Sequence, residues 1–181
     1  MKKSIIILVS FLINSSYITA QTPTLQWQKT LGGTLEDMAS TIIQTSDGGY
    51  LTVGYSYSSD GNVTLNHGVQ DYWVVKLNAT GTIEWQKSLG GSDEDTPTSV
   101  VQTTDGGYAV AGFTASTDGD VTSNHGEYDY WVVRLNSAGT ILWQKTYGGT
   151  NNDMAYSIAP TSDSGFIVAG LTTSYDGDIN D

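Results

Sequence analysis

Three short acidic motifs recur along this chain: Asp60-Gly61-Asn62, Asp118-Gly119-Asp120 and Asp176-Gly177-Asp178. Oxygen-bearing side chains two apart around a glycine turn can face one hard cation, and Ca²⁺ takes about six to eight such oxygens. Asp60, Asn62, Asp118, Asp120, Asp176 and Asp178 are therefore candidate calcium ligands. The bidentate Glu of an EF-hand loop is absent, and an Asp-Gly pair also makes a tight turn with no metal. Asn-His-Gly follows the first two motifs, placing His67 and His125 four residues before Asp71 and Asp129. A ligand role for either His needs partners, and these aspartates are the nearest repeated carboxylates; a His hydrogen-bonded to loop backbone accounts for the motif equally. Tyr72 and Tyr130 come next and would stack on sugar rings if exposed. Asp37, Asp95 and Asp153 are also repeated, and paired carboxylates can hydrolyse glycosides. Capping of loop backbone explains a carboxylate at every copy more simply. A G-x-S-x-G elbow is missing.

The elements that carry these residues are themselves copies. Trp27, Trp85 and Trp143 are 58 residues apart, and residues 27–84 match residues 85–142 at 33 of 58 positions without a gap. The third copy, from Trp143, is incomplete at Asp181. In the second copy, alternation predicts strand A over Thr98–Thr103, an Asp105-Gly106-Gly107 turn and strand B over Tyr108–Ser116. A polar loop spans Thr117–Tyr128, followed by strand C over Asp129–Asn136, a turn at Ser137–Gly139 and strand D over Thr140–Tyr147. Short A–B and C–D turns require antiparallel pairing. Strand C puts Trp131, Val133 and Leu135 on one face and Tyr130 and Val132 on the other. Gly112, matching Gly54 and Gly170, would let a neighbouring sheet or large ring come close. The same pattern predicts a lone strand D at Trp27–Leu31 and eleven strands altogether.

A four-stranded unit that leaves both faces uncovered must stack on its copies. The reading is all-β: a β-propeller of four-stranded antiparallel blades, an incomplete ring of about two and a half blades, with tandem sandwiches as the runner-up. Lys2, Lys3, the apolar run Ile5–Ile13 and Ala20 make residues 1–20 a secretory signal peptide, too short to span a bilayer. Residues 21–181 form the repeat region, with copies starting at 27, 85 and 143. Residues 1–20 hold two of seven basic and none of nineteen acidic residues, so cleavage takes the formal charge from −12 to −14. Such acidity disfavours nucleic acid and anionic membranes. Absence of Cys removes disulfides and thiolate chemistry together.

The segment from Trp85 to Lys145, WQKSLGG through TILWQK, resembles a repeat common in secreted proteins of Bacteroidota, usually of unknown function. LNSAGTILWQK is also similar to the tryptophan-docking motif of quinoprotein propellers, whose Trp fastens neighbouring blades. The resemblance implies a propeller and no particular activity. The functional expectation is an exported, non-enzymatic structural or binding module with a protein or glycan ligand, at the cell surface or outside the cell, with the periplasm as alternative. The chain is expected to be a piece of a longer protein or a self-associating protomer. The alternative is a quinoprotein-like or glycoside hydrolase-like propeller enzyme whose active site lies beyond Asp181. No cofactor is expected other than calcium.

Overall fold

β-branched and aromatic residues alternating with polar ones suit a pleated strand, and ten segments adopt it: β1 (Asp37–Gln44), β2 (Tyr50–Ser56), β3 (Asp71–Leu77), β4 (Ile83–Leu89), β5 (Asp95–Gln102), β6 (Tyr108–Thr114), β7 (Asp129–Leu135), β8 (Ile141–Tyr147), β9 (Asp153–Pro160) and β10 (Phe166–Thr172). The computed structural model describes residues 24–179; the expected signal peptide lies outside them. No helix occurs among the described residues. The strands form sheets in the orders β1-β2-β3-β4, β5-β6-β7-β8 and β9-β10. All their neighbours are antiparallel. The chain is thus an all-β repeat with the expected A–B–C–D connectivity.

The expected first strand is a correction. Trp27–Leu31 does not form a strand. Extended backbone needs a ladder partner, and among the described residues none lies beside this segment. Trp27 nevertheless stands where a strand D tryptophan belongs. Its ring meets Tyr50 edge-on at 5.7 Å and covers Gly81, as Trp85 meets Tyr108 at 6.0 Å and covers Gly139. The structure also starts strand A earlier than expected, at Asp95 rather than Thr98. A bulge between Pro97 and Ser99, matched between Ala39 and Thr41, bends it there.

The core lies between sheets. Leu51, Val53, Tyr72 and Val74 of the first sheet pack on Val100, Tyr108, Val110, Trp131 and Val133 of the second. Ala109, Ala111 and Val132 then pack on Ala155 and Ile158 of the third, with Tyr130, Phe166 and Val168 partly buried against them. Gly112 is required at the first junction: a Cβ there would sit 2.1 Å from the Thr96 carbonyl and 2.5 Å from the Tyr72 hydroxyl. Burial of Trp73 and Trp131 follows the expected strand alternation.

Candidate functional site

The polar residues singled out by the repeat gather at the end of each sheet where strand A begins and strand B ends. Asp37, Asp95 and Asp153 open β1, β5 and β9. Each carboxylate accepts the amide of the second glycine of the preceding pair, Gly33 at 2.7 Å, Gly91 at 2.8 Å and Gly149 at 2.8 Å. Each also accepts a hydroxyl from the loop after strand B, Ser58 at 3.2 Å, Ser116 at 2.9 Å and Ser174 at 2.7 Å. These side chains cap loop backbone rather than face one another across a cleft. The serines were missed in the sequence, although Ser-x-Asp-Gly recurs in all three copies.

The candidate calcium ligands belong to the same clasp. Asp60, Asp118 and Asp176 accept the amides of Thr34 at 2.8 Å, Ser92 at 2.7 Å and Thr150 at 2.8 Å. Asn62 and Asp120 accept those of Gly32 at 3.2 Å and Gly90 at 3.3 Å. The amides of Asn62, Asp120 and Asp178 each donate back, at 2.9 Å, to the carbonyls of Gly32, Gly90 and Gly148. Gly61, Gly119 and Gly177 turn the chain at φ between +64° and +68°. The Asp-Gly-Asp loop is therefore locked onto the Gly-Gly loop, a contact between residues about thirty apart in sequence. Its oxygens point at amides, and among the described residues no three His, Asp or Glu side chains are arranged to hold a metal ion.

His67 and His125 each pair with the aspartate four residues on. Asp71 Oδ2 receives the His67 amide at 3.0 Å and lies 2.6 Å from its Nδ1; Asp129 repeats this with His125 at 3.0 and 2.5 Å. Both aspartates are fully buried, so they would reach a ligand only through their imidazoles, which corrects their expected role as contacts. Burial pushes both carboxyls up, against the pull of the histidine hydrogen bonds. His125 is pushed up chiefly by its bond to Asp129. The other oxygen of each aspartate, Oδ1, is buried with no hydrogen-bond partner. It faces the carboxylate of the next sheet across a glycine: a Cβ on Gly90 would lie 2.4 Å from Asp95 Oδ2 and 2.9 Å from Asp71 Oδ1. The arrangement holds imidazoles in place and brings two acids together at each junction. No nucleophile accompanies it.

Tyr72 and Tyr130 separate. Tyr72 is fully buried, its ring 4.6 Å from that of Trp131 and its hydroxyl donating to the Trp131 carbonyl at 3.1 Å. Sugar contact at Tyr72 is thereby removed, because the second sheet already covers it. Tyr130 is only partly buried and lines an open aromatic groove with Trp143, Tyr147 and Phe166. At the opposite end of strand C, unforeseen from the sequence, Lys76 and Arg134 are buried cations. Lys76 bridges Asp47 and Glu84 at 2.8 Å each, while Arg134 grips both oxygens of Asp105 at 2.6 and 2.7 Å. The signal was a basic residue inside an otherwise apolar strand in both complete copies.

No family model matches the chain. It is similar to the regulatory protein FlaEY of Caulobacter vibrioides, 24% identical over 164 residues, which covers 82% of this chain and 17% of that protein. The chain thus spans a small part of the length of that curated relative.

Proposed function

We propose that the chain belongs to an exported β-propeller repeat protein, its sheets serving as radial blades, and that it acts as a structural or binding module and not as an enzyme. The observation that carries this reading is the repetition of one junction. Tyr72 over Gly112 and Tyr130 over Gly170, with Trp85 on Tyr108 and Trp143 on Phe166, make each sheet meet the next in the same way. Export is supported by the pattern of residues 1–20 and by the resemblance to secreted Bacteroidota repeats. The regulatory role in the relative's name is not carried over, given the share of that protein aligned. The two His–Asp pairs sit in near-identical surroundings, and the acidic loops hold backbone, so neither supports a unique catalytic centre.

A double variant, His67→Ala with His125→Ala, tests the non-enzymatic part. It should lower the melting temperature, while wild type and variant alike leave chromogenic glycoside and ester substrates intact. Turnover by the wild type that the double variant loses would overturn the reading. Calorimetric titration with CaCl₂ should give no binding heat and no rise in melting temperature, because a bound ion would stabilise the fold by mass action. A second reading, glycan binding, is favoured by the aromatic groove at Tyr130; array binding abolished by Tyr130→Ala would support it.

A further inference from the structure

β10 is paired on one side only. Among the described residues its partner is β9, whereas β2 and β6, at the same place in the other sheets, have a strand on each side. Beside the open edge lies a groove of about 470 Å³ lined by Tyr130, Val132, Trp143, Tyr147, Phe166 and Val168. The first junction shows what fills the equivalent space. There β7 runs antiparallel to β6, with Trp131 opposite Gly112, Val133 opposite Val110 and Leu135 opposite Tyr108. The Tyr72 ring lies against the Trp131 indole.

The receiving parts of that arrangement recur at the second junction. Gly170, Val168 and Phe166 stand 58 residues after Gly112, Val110 and Tyr108, and Tyr130 stands 58 after Tyr72. The Tyr130 hydroxyl is already over Gly170, 2.7 Å from where a Cβ would be, matching 2.5 Å for Tyr72 over Gly112. An exposed strand edge also offers a row of amide and carbonyl groups to any extended chain. A sugar would stack on Tyr130 and Trp143 but would leave that row to water. A second intact copy does not supply the strand, because β3 and β7, which carry the fitting pattern, are each bonded on both sides.

We propose that β10 and the groove beside it form a strand-accepting site for an extended peptide of the pattern Asp-x-Trp-x-Val-x-Leu, added antiparallel to β10. The peptide Trp lies over Gly170 against the Tyr130 ring, its carbonyl accepts the Tyr130 hydroxyl, and the Val and Leu cover Val168 and Phe166. This narrows the binding-module reading and rests on it, yet the two fail separately: hydrolytic turnover would remove that reading without touching a peptide isotherm.

Calorimetric titration of the chain with a synthetic peptide of residues 128–136 tests the site. Saturable one-to-one binding is expected, weakened about tenfold or more when the peptide Trp is replaced by Ala. Peptides N-methylated at alternate residues should behave differently in the two phases, since only one set of amides faces a partner strand. One phase should abolish binding and the other preserve it. Tyr130→Phe should weaken binding several-fold by loss of the hydroxyl. Failure to saturate by about 1 mM peptide, equal behaviour of the two N-methylated phases, or Tyr130-dependent glycan binding that the peptide does not displace would each overturn the proposal.

Discussion

Asp95 shows how one repeated residue acquires its own chemistry from its surroundings. Burial pushes its carboxyl from an ordinary 3.8 up to about 6; hydrogen bonds from Thr114, Gly91 and Ser116 oppose this, and Asp71 adds to it. A folded-state value above the unfolded one means that folding favours the neutral acid. The contribution is complete below 3.8 and is lost as pH rises through about 6. That loss is on the order of 3 kcal/mol. Asp153, in the same place on the third sheet, goes the other way, because bonds from Thr172, Ser174 and Gly149 outweigh its burial. Its contribution is present above 3.8 and lost as pH falls. Asp95→Asn should therefore gain melting temperature relative to wild type as pH climbs from 3.8 to about 6. Parallel curves would show that burial of Asp95 is not the cause. His125 should titrate above 6.5, its Asp129 partner favouring the imidazolium, and NMR should find that midpoint lower in Asp129→Asn.

Within an element, the buried cation of strand C offers a comparison already made by the chain. Lys76 has two acids in reach, Asp47 and Glu84; burial alone would lower it, but those bonds leave it raised. Arg134 has Asp105 and also donates to the carbonyls of Tyr108, at 3.2 Å, and Leu135. Leu142 stands where the first sheet has Glu84. Lysine cannot reproduce the fork that spans both Asp105 oxygens. Arg134→Lys should cost about 1–2 kcal/mol in denaturant melts, and adding Leu142→Glu should recover part of it. Equal stability of the single variant and wild type would mean that the fork contributes nothing there. The acidic partner was legible only as a turn residue: Asp105-Gly106-Gly107 reads as turn chemistry, which it is, with Gly106 at φ +82°. Its second role depends on the strand beside it.

Across the whole molecule, stability resides in the junctions, and equal residues weigh differently according to what lies next door. Trp85 packs on Tyr108 and over Gly139 between two complete sheets. Trp143 meets Phe166 at 6.3 Å and is 41% exposed. Trp85→Ala should cost about 2–3 kcal/mol and Trp143→Ala about 1 kcal/mol or less, measured as shifts in denaturant midpoint. Matching losses would argue that these tryptophans act within their own sheets and not between them. Tyr72→Phe should also destabilise, by about 1–2 kcal/mol, since it leaves a buried carbonyl without its donor.

The period of 58, the four-strand unit, the turn glycines and the inward tryptophans follow from the sequence alone, because alternation and positive φ are properties of neighbouring residues. Even the need for Gly112 was readable, as the point where a large ring approaches. The sequence could not say that the Asp-Gly-Asp loop grips the Gly-Gly loop, that Tyr72 is sealed while Tyr130 stays open, or that Trp27–Leu31 lacks a ladder. Each of these depends on which segment arrives from elsewhere in the chain. Identical motifs were therefore equivalent in sequence and unequal in the fold, where the number of covering sheets decides burial, charge and access.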